Sequence, residues 1–224
     1  MEKQSLMAHN NLVRAGVMGG NDGILSVAGI IVGVAGAGQS LGAIMLSGFA
    51  GTLAGMVSMA MGEFVSVRSS HDAQEKARHS QELALKNNYD EEFNFVKEKY
   101  RADGISEELA TQATEEMMKK DPLETTVRER HGFSLKSQVS AGGAALVSFV
   151  TFPTGAALPM AFMAVASPNL RIMATFLAVL IALLITGYLA AVVNGANRTK
   201  GAIRNLLSGI LTMVVTFLIG SLFK

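Results

Sequence analysis

Long apolar stretches alternate with short polar breaks over most of the chain, and a single strongly charged stretch interrupts them. Apolar residues dominate from Asn21 to about Gly38, from about Leu41 to Arg68, from Val139 to Val165, from Ile172 to Val193 and from Leu206 to Phe223. Each stretch is close to the roughly 20 residues with which a helix crosses about 30 Å of hydrocarbon. Runs of this length and character predict five membrane-spanning helices.

The breaks set the order of these helices. Gln39-Ser40 is a short uncharged turn, so the first two helices form a hairpin. Asp22 precedes Gln39 by 17 residues and Glu63 follows Ser40 by 23, which brings both carboxylates back to one membrane face. Gly29, Gly33 and Gly36 on the first helix and Gly48, Gly51 and Gly55 on the second are small-residue faces that let membrane helices approach closely. A phosphate-binding loop is excluded for the first glycine run, which lacks a preceding strand and a following Lys-Ser/Thr. Pro153 and Pro159 predict that the third span ends or kinks near Pro153. Ser167-Pro-Asn-Leu-Arg171 is a turn, and residues 194–204, with Arg198, Lys200 and Arg204, form a basic loop.

Residues 69–133 differ in kind, holding most of the acids, three of the four histidines and two of the three tyrosines. Helices are expected over about 69–87, 90–102 and 106–120, with a shorter one over about 123–131. Asn87-Asn88 and Asp103-Gly104 separate them, Ser106 caps the third, and Asp121-Pro122 stops it because proline cannot continue the hydrogen-bond ladder. The expected fold is an all-α membrane protein of five transmembrane helices, with a three- to four-helix cytosolic domain inserted between spans two and three. Its divisions are an interfacial segment 1–20, spans one and two in 21–68, the acidic helical domain 69–136, and spans three to five in 137–224.

Composition sharpens this picture. Hydrophobic residues make up 50% and charged residues 17% of the chain, against about a quarter charged in ordinary soluble domains. A net charge of +1 gives no case for nucleic-acid binding, and the absence of cysteine excludes thiolate metal sites and disulfides. The N-terminus lacks the basic-then-apolar plan of a cleaved signal peptide. Loop 194–204 and the 65–137 region carry the cations, whereas the opposite loops carry only Arg171. The positive-inside rule therefore places the N-terminus, the acidic domain and loop 194–204 in the cytoplasm and the C-terminus outside. A short, compact chain favours a bacterial inner membrane, with a vacuolar membrane as the alternative.

Candidate chemistry lies at two places. Met56, Met59, Glu63 and Ser66 fall on one face of the second helix, at about 100° per residue, and Met61 points elsewhere. A carboxylate at membrane depth is costly without a partner, an ion or water; the plainer reading puts Glu63 at headgroup level and uses the methionines as gap-fillers. In the charged region, His71, Glu75, His79 and Glu82 form a stripe of imidazoles and carboxylates suited to Fe, Mn or Zn. Glu91 and Glu98, with Asp90 and Glu92 nearby, and Met117 and Asp121 add further donors; a solvated helix face accounts for each stripe taken alone. No nucleophile or paired-acid hydrolase motif is present.

Asn21-Asp-Gly-Ile-Leu-Ser-Val-Ala-Gly-Ile-Ile-Val-Gly, Met59-Ala-Met-Gly-Glu-Phe-Val-Ser-Val-Arg-Ser and the region from Asn194 to Gly220 resemble the vacuolar iron transporter family. The likeness extends to Tyr100-Arg-Ala-Asp-Gly-Ile-Ser-Glu-Glu-Leu-Ala and Asp121-Pro-Leu. It implies a homodimer that exports Fe2+, and often Mn2+, from the cytosol in exchange for protons. Asp22, Met59 and Glu63 would line the path, and no cofactor is implied beyond the transported metal. The family's cytosolic metal-binding motifs correspond here to His79-x-x-Glu82, Glu91-x-x-Asn94 and Met117-Met118-x-x-Asp121, in which His79, Asn94 and Asp121 replace glutamates. Two rival readings are a membrane-anchored metal sensor or scaffold and a transporter chiefly of Mn2+.

Overall fold

The computed structural model describes residues 2–136 and 139–224, with residues 2–10 described by backbone alone. Its helices are α1 (Glu2–Gly36), α2 (Leu41–Asn87), α3 (Tyr89–Ala102), α4 (Glu107–Lys120), α5 (Pro122–His131), α6 (Ala141–Val165), α7 (Arg171–Val193) and α8 (Arg198–Ser221). Among the described residues there is no strand. Five helices are long and apolar enough to cross a membrane: Asn11–Gly36 within α1, then α2, α6, α7 and α8. The chain divides into two compact units, Met1–Ala8 with Ser66–Val139 and His9–Val65 with Ser140–Lys224. The expected start of the third span at residue 137, and the side chains of Lys3 and His9, lie outside the described residues.

Several helices continue where the sequence suggested an end. α1 passes unbroken through residues 20 and 21, so Asp22 lies inside a candidate span that begins at Asn11 rather than at its mouth. α2 continues through Arg68 to Asn87, and the polar helix expected at 69–87 is its second half. No proline or cap lies in that stretch, and a change in hydropathy leaves the backbone ladder intact. α6 runs on past Pro153 and Pro159 to Val165. Within that stretch the hydroxyls of Thr151 and Thr154 donate to the carbonyls of Val147 at 2.9 Å and Thr151 at 2.6 Å, the kind of local bonding that helps a membrane helix tolerate proline. The basic loop 194–204 is helical from Arg198 onward, started by the Asn197 side chain accepting from the Lys200 amide at 3.0 Å.

The membrane unit is built on helix crossings where backbones touch. A Cβ at Gly23 would collide with the Phe152 carbonyl oxygen, and one at Gly155 with the Gly20 carbonyl oxygen, so α1 and α6 pack main chain against main chain. Gly220 meets the Gly33 carbonyl in the same manner and joins α8 to α1. Between these crossings lie Val27, Ile31, Phe152, Met163, Leu183 and Met213, all fully buried.

The helical unit closes around Val96, Ala110, Met118 and Val127. Its ends are defined by local chemistry. Asn88 accepts from the Glu91 amide to start α3, Asp121 accepts from the Glu124 amide at 3.0 Å to start α5, and Gly132 ends α5 at φ +74°. Ser106 stands at the N-cap of α4 without a side-chain bond. Glu92, 5% exposed, receives Arg130 at 2.9 Å through both oxygens and the Gln81 amide at 2.5 Å, and Arg130 lies 3.8 Å over the Phe95 ring. This charge is buried because it is fully partnered.

Gly155→Leu and Gly220→Leu are expected to lower stability by at least about 1–3 kcal/mol each through overpacking. Gly62→Ala, where an added Cβ meets nothing within 4 Å, is expected to be neutral or slightly stabilising. Thermal unfolding in detergent compares the three; equal losses would remove the backbone contacts as the explanation.

Candidate functional site

The membrane unit contains two carboxylates, Asp22 and Glu63, and six lysines and arginines: Arg14, Arg171, Arg198, Lys200, Arg204 and Lys224. Neither carboxylate is ion-paired among the described residues. Asp22 accepts from the Ser26 hydroxyl one turn on, at 2.9 Å, and is exposed on the single chain. Glu63 is partly buried, and Met56 and Met59 lie partly buried against the core.

Contacts between α1 and α2 set the levels of these groups. Ile31 lies against Gly48, Ile30 against Gly51, and Phe152 touches both Gly23 and Gly55. Continuing that antiparallel register puts Asp22 level with Met56–Met59. Glu63 then stands a further four to seven residues along α2, about 6–10 Å toward the N-terminal end of α1. The two carboxylates occupy successive depths, with thioethers beside the first.

Asn21, adjacent to Asp22, is the polar hub of this unit. Its side-chain oxygen accepts from the Asn205 amide of α8 at 2.8 Å and from the Thr186 hydroxyl of α7 at 3.0 Å. Three helices are thus tied together one residue before the acid. Because successive helix residues differ by about 100°, turning Asn21 inward turns Asp22 toward the open side. Asn21, Gly20, Thr151, Thr154 and Thr186 also line a crevice of about 320 Å³. The sequence signal for this hub is Asn205, which falls between the expected loop 194–204 and the apolar run from Leu206 and lies within α8.

The helical unit places the other expected ligands apart. His79 is exposed, with Nδ1 3.8 Å from Glu82. Arg78, which the stripe reading had passed over, holds Glu82 at 2.5 Å and both oxygens of Glu75, at 3.0 and 2.8 Å at closest, and its hydrogen bond holds the Glu75 carboxyl below its ordinary range. Glu91 is bonded to its cap, with Asn88 Nδ2 donating at 2.9 Å. Asp121 caps α5, and Met118 is 2% exposed in the core. The sulfur of Met117 lies 3.3 Å from the Tyr100 hydroxyl, which is 3.1 Å from Glu129. Lys99 at 3.0 Å and Arg128 at 2.8 Å complete that cluster. Among the described residues no three His, Asp or Glu side chains gather into a group that could hold a metal ion.

Burial alone would raise the Glu129 carboxyl, but the hydrogen bonds from Lys99, Arg128 and Tyr100 outweigh it and hold the group below its ordinary value of 4.5. Burial, then the neighbouring Glu129 charge, pushes the Tyr100 hydroxyl upward.

Two outcomes follow. The lowered Glu129 carboxyl contributes stability above its unfolded value of 4.5, and that contribution is lost as pH falls through the lower folded value. Acid unfolding of Glu129→Gln is therefore expected to be less pH-dependent below about 4.5 than that of the parent; identical acid limbs would contradict the cluster's role. In a double-mutant cycle on Asn21→Leu and Asn205→Leu, the double variant is expected to lose less stability than the summed singles, by about 0.5–1.5 kcal/mol. Strict additivity would mean the two side chains are uncoupled.

Residues 13–221 match the VIT family. The chain is 33% identical over 211 residues to a vacuolar iron transporter of Acanthamoeba castellanii, covering 94% of this chain and 78% of that protein. It is 32% identical to vacuolar iron transporter homolog 2 of Arabidopsis thaliana over 92% of this chain and 81% of the other. Against vacuolar iron transporter homolog 5 of Oryza sativa subsp. japonica it is 31% identical, over 100% of this chain and 86% of the relative. Five apolar helices and a family match over nearly the whole length converge on one conclusion: the chain belongs to the VIT family, and it is a multi-pass membrane transporter of metal rather than an enzyme.

Proposed function

We propose that the protein moves Fe2+, and Mn2+ with it, out of the cytosol in exchange for protons, through a path lined by Asp22, Met59 and Glu63. The observation that carries this reading is that Asp22 and Glu63 are the acids of their unit and that among the described residues neither has a cationic partner. A charge at membrane depth is tolerated when it meets an ion, water or a proton, so these two groups alternate between metal-bound and protonated forms. Their separate depths make two stations, Glu63 and then Asp22. The register that puts Met59 level with Asp22 supports its part in selectivity, since a thioether favours softer transition metals over Ca2+ and Mg2+.

The exposed position of Asp22 supports a homodimer. On a single chain that face would meet lipid, and a second copy would enclose it. On α2, Phe49, Leu53, Val57 and Met61 are exposed at four-residue spacing, an apolar patch of the sort that marks an interaction surface. The distribution of cations supports a cytoplasmic N-terminus and an outward C-terminus, and the compact chain favours a bacterial inner membrane.

The 69–136 domain is read as cytosolic and metal-binding, through His79, Glu82, Glu91, Met117, Met118 and Asp121. Metal there competes with Arg78 for Glu82 and with Tyr100 for Met117, and Met118 reaches it only by leaving the core. Binding is therefore weaker than on a preformed site.

In proteoliposomes with an imposed pH gradient, Fe2+ flux is expected to fall at least tenfold in Asp22→Ala and Glu63→Ala, and Met59→Leu to lose discrimination against Ca2+. Proton flux is read alongside with Fe2+, Mn2+, Zn2+ and Ca2+. Undiminished Fe2+ flux in both carboxylate variants would sink the path assignment. Metal binding with no flux in the parent would favour a sensor or scaffold.

A further inference from the structure

The N-terminal end of α8 carries positive charge that nothing in the membrane unit balances. Arg198, Lys200 and Arg204 stand on its first two turns, and no acid lies in the first turn. No Asp or Glu occurs anywhere after Glu129. Among the described residues none of the three is ion-paired; Arg198 lies 5.9 Å above the Tyr188 ring. Helix N-termini are themselves electropositive, so cations placed there add to a field that already favours an anion. An anion arriving from outside the unit would therefore meet three cations that no acid of their own helix offsets.

The surface beneath shows what kind of anion fits. Lys200 and Arg204, one turn apart, open a groove of about 430 Å³ that continues along the same face past Ile203, Leu207, Ser208 and Leu211. The three apolar side chains are exposed, at 47%, 59% and 66%. The face is therefore cationic at one end and apolar along the rest, on a helix long and apolar enough to cross a membrane.

We propose that this groove binds one anionic phospholipid, its phosphate on Lys200 and Arg204 and an acyl chain along Ile203, Leu207 and Leu211. A soluble phosphate would leave the apolar part of the face unused. A second copy of the chain has only Asp22 and Glu63 to offer from its membrane unit, two acids against three cations. Binding of this kind does not depend on the transport reading, because it involves neither carboxylate.

Native mass spectrometry of the full-length protein, delipidated and titrated with phosphatidylglycerol or phosphatidylcholine, tests it. One phosphatidylglycerol per chain is expected to bind at least tenfold more tightly than phosphatidylcholine. Each cation removed should weaken it about fivefold, and Lys200→Ala/Arg204→Ala together about 25-fold. Arg14→Ala serves as a control that retains binding. Lys200→Glu, at an exposed position, gives the same reading should the double variant fold poorly. Equal affinity for the two lipids, displacement by millimolar inorganic phosphate alone, or unchanged binding in the double variant would each overturn the proposal. So would loss of a dimer mass in place of loss of lipid, which would assign the face to a second copy.

Discussion

A carboxylate at membrane depth is costly unless it meets a partner, an ion or water, and among the described residues neither Asp22 nor Glu63 is ion-paired. Several other polar side chains of the membrane unit are bonded within or across helices, whereas among the described residues the buried hydroxyls of Ser148 and Thr175 have no hydrogen-bond partner. Threonines of α6 bond back to their own helix, and Asn21 draws donors from α7 and α8. Among the described residues, Asp22 accepts from a serine hydroxyl one turn away and Glu63 is in no ion pair. Leaving these charges uncompensated costs more than a surface ion pair could return. Such a cost is consistent with groups that take up and release ions.

The helical unit follows the opposite rule. Its buried acid, Glu92, is clasped by Arg130 and Gln81, and Glu129 is surrounded by Lys99, Arg128 and Tyr100. These acids are spent on structure. Acids with freer geometry, such as Glu91 and Asp121, still serve helix caps. The buried acids Glu92 and Glu129 of this unit are paired, whereas among the described residues Asp22 and Glu63 of the other unit are not.

Hydropathy made the five spans legible, because crossing a bilayer demands a long apolar run whatever the packing. Helix ends were less legible. The breaks expected near residues 20 and 68 rested on changes in polarity, whereas a helix stops for caps, proline or glycine in the left-handed region. Where such signals existed, at Asn88, Asp121 and Gly132, the boundaries fell within a residue or two of expectation. Asp22, Met59 and Glu63 could be named from pattern and resemblance. Arg78, Glu92 with Arg130, and the Asn21–Asn205 bond could not, since each depends on side chains that meet across 38 or 184 residues of sequence or, for Arg78, on a cation lying between two stripe residues.

The glycine crossings bear on movement as well as on packing. Where two main chains touch at Gly20, Gly23 and Gly155, and again at Gly33 and Gly220, sliding would drive carbonyl oxygens into neighbouring Cβ atoms. α1 is therefore keyed to α6 on one side and to α8 on the other, with the Asn21 bond as a third fastening. α2 meets α1 through flexible side-chain ends, Ile30 and Ile31 lying over its glycines. Within this unit, a change of access to Asp22 is mechanically cheaper as a displacement of α2 across a fixed α1 than as a rotation of α1 itself.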